Sequence, residues 1–275
     1  KLLPGMPRRE VIRVSLENRG ALIEVMASVE ACAFATVIAP EPLELSMADA
    51  GDWVSYANDP DHRERKANGS AAPFSIRLWQ LGNETSYGNR TFTRDQSIQH
   101  TIEFAREMRR RDPSIRLIGW GDRGREGTEL WAGELLKRAG DQIDMVAIHM
   151  MGQSPKRPDT VLRGMRYQRE PERAWEELIE LSNMVATFSA ALEEVIGSSG
   201  QKKGIAITEG HLSLVPHNAN PILTEWLSAA YHARSLNIYQ RHGASVKMAT
   251  AADFQGNRWT VNAVMLQTPR RVTYP

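Results

Sequence analysis

A single cysteine, Cys32, stands among 275 residues, so no disulfide can form within the chain and a cysteine-based zinc site is excluded in practice. Its apolar flanks, Ala31 and Ala33, suggest a buried thiol. Charge of one sign is also lacking: 34 Lys and Arg against 33 Asp and Glu leave a net charge of +1, and nothing in that total signals a polyanionic partner such as nucleic acid. No apolar run approaches the roughly 18 residues of a membrane span. The opening Lys1-Leu2-Leu3-Pro4-Gly5 does not read as a secretory signal. Because the chain begins with Lys rather than Met, upstream sequence is expected, and the compartment stays open.

What is present is enough apolar sequence for a sizeable core, 41% of residues, at a length that suits one α/β barrel of about 250 residues. Apolar strand-like runs alternate with amphipathic ones every 30 to 50 residues, roughly the repeat of a parallel sheet with helical crossovers. Helices are expected over Arg19 to Ala31, Met47 to Asn58, Thr93 to Arg111, Leu130 to Ala139, Glu172 to Ile196 and Pro221 to His242. Strands are expected at Phe34 to Ala39, Arg77 to Leu81, Ser114 to Trp120, Ile143 to His149, Gly204 to Glu209 and Ala244 to Thr250, with Val11 to Leu16 either strand or loop. That is six or seven strands. The charged stretch from His62 to Ala72 reads as a solvated loop, and Gly152 to Glu170 as a polar loop walling a pocket. The basic run Arg109-Arg110-Arg111 suits a helix carboxyl terminus better than an anion site.

Two of these strands end in a glutamate. In Leu78-Trp79-Gln80-Leu81-Gly82-Asn83-Glu84 the glycine lets the backbone turn after the apolar run. In Ile205-Ala206-Ile207-Thr208-Glu209-Gly210 the pattern recurs 125 positions later. Alone, either residue could be an ordinary surface loop acid. A barrel brings its strand ends to one mouth, however, and paired carboxylates there suit glycoside hydrolysis, in which one donates a proton while the other attacks or activates water.

The runs Trp53-Val54-Ser55-Tyr56-Ala57-Asn58, Trp79 to Glu84, Asp112-Pro113-Ser114-Ile115-Arg116-Leu117-Ile118, Ile148-His149, Ala206-Ile207-Thr208-Glu209, Val246-Lys247-Met248-Ala249 and Gln267-Thr268-Pro269 resemble glycoside hydrolase family 51, the α-L-arabinofuranosidases of the retaining-barrel clan. The resemblance runs from about Trp53 onward. It implies a (β/α)8 barrel, a single catalytic domain over 1–275, incomplete at its N-terminal end here and without the β-sandwich that follows the barrel in the family. It further implies Glu84 as general acid/base, Glu209 as nucleophile, Asn83 as donor to the sugar hydroxyl beside the anomeric carbon, and His149 near the reacting ring. A polar sugar contact near the last strand maps onto Asp253 or Gln255. No cofactor or metal is implied; the partner is a carbohydrate, with neither nucleic acid nor membrane indicated and a homo-oligomer left open.

Two departures alter the pocket: Met150 and Met151 stand where aromatic residues follow the family's histidine, and Gly210-His211 stands where a tryptophan follows its nucleophile. A core role for His149, a zinc site drawing on His149, His211 and His217, and a related glycoside such as a β-xyloside or glucuronide as substrate are the neighbouring readings. The aromatics Trp120, Trp131, Tyr167 and Trp259 serve either packing or sugar stacking. The rival class is a degenerate, non-catalytic barrel that binds carbohydrate or a protein.

Overall fold

The computed structural model describes residues 50–87, 92–124, 129–216 and 220–250, with the backbone of two short strands at 255–256 and 264–265. Expected as one barrel domain, the chain divides into two compact units, Lys1–Ser46 with Arg63–Ala71, and Met47–His62 with Ala72–Pro275. The first unit's described part carries the short helix α2 (Arg63–Ala67), where a solvated loop was expected. Five residues are too few for a periodic pattern to reveal a helix.

The second unit runs α1 (Ala50–Asn58), β1 (Leu78–Leu81), α3 (Arg94–Arg111), β2 (Arg116–Trp120), α4 (Ala132–Ala139), β3 (Met145–Gln153), α5 (Pro171–Ser198), β4 (Gly204–Ser213), α6 (Trp226–Arg241) and β5 (Val246–Ala249). The two-residue strands β6 (Gln255–Gly256) and β7 (Val264–Met265) pair with each other. The expected strands at Val11 to Leu16 and Phe34 to Ala39, and the helix from Arg19, lie outside the described residues.

Strands β1 to β5 form one parallel sheet in sequential order. A doubly wound sheet reverses direction at a switch point; an order without reversal is the arc of a barrel. Alternation along each strand sorts the side chains into two layers. Val146, Ile148, Ile205 and Ile207 pack among helical residues such as Leu135, Leu136, Leu192 and Ile196. Ile118, Trp120, Met145, Ala147 and Ala206 pack on one another as the inner layer. Strand β1, expected to be buried, is half-buried except at Leu81.

Local signals explain the helices. Thr93 caps α3 in a reciprocal box, the Gln96 backbone N–H donating to Thr93 Oγ1 at 3.2 Å and the Thr93 N–H to Gln96 Oε1 at 2.9 Å. The basic end of α3 is spoken for by carboxylates: Arg109 meets Asp144 at 2.8 Å and Arg111 meets Asp52 at 3.2 Å. Pro171 opens α5, where its missing N–H costs nothing.

Gly121 fixes how closely β2 approaches its neighbours. A Cβ there would lie 2.4 Å from Val146 Cγ1 and 3.2 Å from the Ala132 Cα. Gly121→Ala should therefore destabilise the protein by about 1–3 kcal/mol, the scale of overpacking a filled core. Thermal unfolding reads this directly, and an unchanged midpoint would contradict the packing described.

Candidate functional site

Glu84 is set by an unusual backbone. Gly82 takes φ 82° and Glu84 itself φ 51°, a left-handed conformation that costs a non-glycine residue about 1–2 kcal/mol. Neighbouring bonds offset that cost. Tyr87 N–H donates to the Glu84 carbonyl at 2.9 Å, and Tyr87 hydroxyl donates to Asp122 Oδ2 at 2.5 Å. Ser86 accepts from Trp120 Nε1 and donates to the Arg123 carbonyl, both at 2.8 Å. The turn after β1 is thus laced to the carboxyl end of β2.

Glu209 owes its direction to a bulge. Ile148 pairs with Ile207, but His149 pairs with Glu209, so Thr208 is the extra residue on β4. Strict alternation would send Glu209 to the helix side with Ile205 and Ile207. The one-residue slip turns it onto the face of His149. Both strands then run on, β3 to Gln153 and β4 to Ser213, so the expectation that they stop at His149 and Glu209 is corrected: these residues sit within strands.

His149 stands between the two acids. Its Nδ1 lies 3.1 Å from Glu84 Oε1 and 3.4 Å from Glu209 Oε2, and all three heteroatoms fall within 4.8 Å of one another. Its ring is buried edge-on to Trp120 at 4.7 Å, and its backbone N–H donates to Asp122 Oδ2 at 3.1 Å. The second oxygen of Glu209 lies 3.0 Å from His211 Nε2. Burial works to raise the Glu209 pKa, yet the hydrogen bond from His211 and the charges of His149 and His211 outweigh it, leaving the carboxyl below the usual glutamate value. Burial and the facing Asp122 carboxylate push the Tyr87 phenol up, keeping it a neutral donor.

Glu84, Glu209 and His149 are therefore brought together. Asn83 is exposed beside Glu84. Asp253 lies outside the described residues, and of Gln255 only the backbone, in β6, is described. Trp120 and Tyr167 are buried and serve packing, not sugar stacking, while Trp131 is half-buried and Trp259 lies outside the described residues. Both methionines line a small cleft with Arg123, Phe188 and His149, and Met150 also packs into the helix-side core. His217 lies outside the described residues, and His211 is held by Glu209, which leaves Glu84, His149 and Glu209 as the described donors spaced to hold a divalent cation. Sequence reasoning missed Tyr87 and Asp122. A lone acid after Gly121 reads as a turn residue, and nothing local says that its carboxylate is buried.

An uninterrupted parallel arc with an acidic pair at its carboxyl-terminal side defines the chain as a barrel of the glycosidase kind. It belongs to the alpha-L-arabinofuranosidase 1 domain family, which matches residues 16–169, more than half of the chain. The fold is that of solved family 51 arabinofuranosidases. The Xanthomonas axonopodis pv. citri structure aligns with TM-score 0.65 at 16% identity over 81% of this chain and 46% of that one. The Bifidobacterium longum enzyme aligns with TM-score 0.62 at 17% identity, over 79% and 46%. This chain thus spans just under half the length of those proteins. A separate likeness joins 55 residues, at 66% identity, to the histidinol dehydrogenase of Dechloromonas aromatica, covering 20% of this chain and 13% of that enzyme. Such a stretch is too short to hold both Glu84 and Glu209.

Proposed function

We propose that the chain acts as a retaining glycosidase that releases α-L-arabinofuranosyl groups from plant-type polysaccharides or oligosaccharides. The observation that carries this reading is the approach of Glu84 and Glu209, with oxygens no more than 4.8 Å apart around the His149 ring. Retaining enzymes hold their carboxyl groups at roughly 5–5.5 Å, whereas inverting ones leave roughly 6.5–9.5 Å for a water between them. The short separation favours direct attack.

Glu84 donates its proton to the glycosidic oxygen as the bond to the anomeric carbon breaks, and Glu209 attacks that carbon to form a glycosyl ester. The ionised Glu84 then takes a proton from water, whose oxygen displaces Glu209 and restores the starting configuration. The depressed pKa of Glu209 suits the nucleophile, which must be bare when substrate arrives. Exposed Asn83 would bond the neighbouring sugar hydroxyl, and His149 would order both acids. Family membership supports the arabinofuranosyl substrate.

Hydrolysis of an aryl α-L-arabinofuranoside, followed by proton NMR of the first-formed sugar, tests the reading. Release of arabinose with the α configuration is expected. An inverted first product would discard the double displacement, and no turnover of any aryl furanoside would leave the binding-only barrel in its place.

A further inference from the structure

We infer that His211 is a positioning residue for Glu209: it pins one carboxylate oxygen so that the other is presented for attack. This role rests on the glycosidase reading above. Residues 209 and 211 are two apart on β4, which continues to Ser213, so both side chains fall on one face of the sheet. Gly210, on the opposite face, fits closely; a Cβ there would lie 3.2 Å from Tyr239 Oη.

The ring of His211 is aimed at both ends. Its Nε2 lies 3.0 Å from Glu209 Oε1, and its Nδ1 lies 2.8 Å from the Leu212 carbonyl. The ring is thus held at both nitrogens, which fixes its orientation between the Glu209 carboxylate and the strand backbone. Since the residue is 8% exposed, water is a poor substitute for either partner. The contact with Glu209 is therefore short and directional.

The two oxygens of Glu209 are held unequally. Oε1 has the 3.0 Å bond from His211, whereas Oε2 has His149 Nδ1 at 3.4 Å, and that nitrogen lies nearer to Glu84. Oε2 is the less encumbered oxygen, and the His149 Nδ1 beside it also reaches Glu84 Oε1. Helix α6 leaves the arrangement without a competing charge from His232, which burial and the charge of His211 push down to about 4, or from Tyr231 and Tyr239, whose phenols burial pushes up.

Kinetics on two aryl α-L-arabinofuranosides, one with a 4-nitrophenyl and one with a 2,4-dinitrophenyl leaving group, test the role. His211→Ala should lower kcat/KM by on the order of 10²-fold, the cost of a misplaced reacting group, and equally for both substrates because the defect lies with the nucleophile. His211→Gln, which keeps a donor within reach of Oε1, should recover at least about tenfold of that loss. Inhibition by free arabinose should stay within about threefold, and thermal unfolding should confirm that each variant folds. Wild-type-like activity in a folded His211→Ala variant would overturn the positioning role alone. So would a loss confined to the 4-nitrophenyl substrate, since that marks a defect in proton donation. Wild-type inactivity on both substrates would instead remove the glycosidase reading and this role with it.

Discussion

Glu209→Gln should abolish turnover on every glycoside, by about 10⁴-fold or more, whereas Glu84→Gln should spare the substrates that need no acid. The asymmetry follows from the roles assigned to the pair. An amide at 209 cannot form the glycosyl ester, and no improvement in leaving group supplies a nucleophile. An amide at 84 still permits attack by Glu209, and the missing proton matters in proportion to the basicity of the departing oxygen. General acid catalysis contributes about 10²–10⁴-fold, so Glu84→Gln should lose that much on a natural or alkyl glycoside and under about tenfold in the first step on a 2,4-dinitrophenyl one.

The pH profile supplies a second readout. Glu209 has a pKa held below the usual glutamate value, so it stays ionised to lower pH than a free side chain, and the acid limb of kcat/KM should fall below that of an unperturbed glutamate. The sign carries over to stability. A carboxyl depressed in the folded state stabilises it above the unfolded pKa, and the contribution fades as pH drops through the folded value. Equal losses for the two variants across leaving groups would refute the division of labour.

The acidic pair was legible in the sequence because each glutamate follows an apolar strand and adjoins a glycine. The order of strands and helices was legible from apolar periodicity. What the sequence concealed is the register that turns Glu209 onto the face of His149 and Glu84. A bulge at Thr208 leaves no local mark, since a one-residue slip changes no residue type, only the face each side chain takes. Gly210 read as a strand end because glycine usually interrupts strands. It instead continues β4 and brings His211 onto Glu209, an arrangement that depends on close packing against Tyr239. Tyr87 and Asp122 escaped notice for a similar reason: their bond joins residues 35 apart, and each alone looks like loop sequence.

The segment from Gly152 to Glu170, expected as a polar loop walling a pocket, also contributes buried residues to the core, and this leads to the largest stability effect. Thr160 is buried, and Val161, Leu162 and Tyr167 are buried and pack with Leu178, Leu212, Leu214 and Ile222. Glu177 of α5 holds the segment from below. Its carboxylate is 2% exposed and accepts from the Thr160 hydroxyl, from the Val161 N–H at 3.2 Å and from Arg157 at 3.2 Å. Glu177→Ala would leave a buried hydroxyl and a buried amide without an acceptor, at about 1–3 kcal/mol each, and open a cavity beneath them. A total near 3 kcal/mol should lower the unfolding midpoint by about 6–12 °C for a domain of this size. Trypsin should then cut after the exposed Arg163, Arg166 or Arg169 faster than it does in the wild type. Because Leu162 packs against Leu212 and Leu214, loosening this segment should also slacken the end of β4 that carries His211. The folded variant is therefore expected to lose kcat more than KM, and full activity with an unchanged midpoint would show that Glu177 supports neither the segment nor the strand.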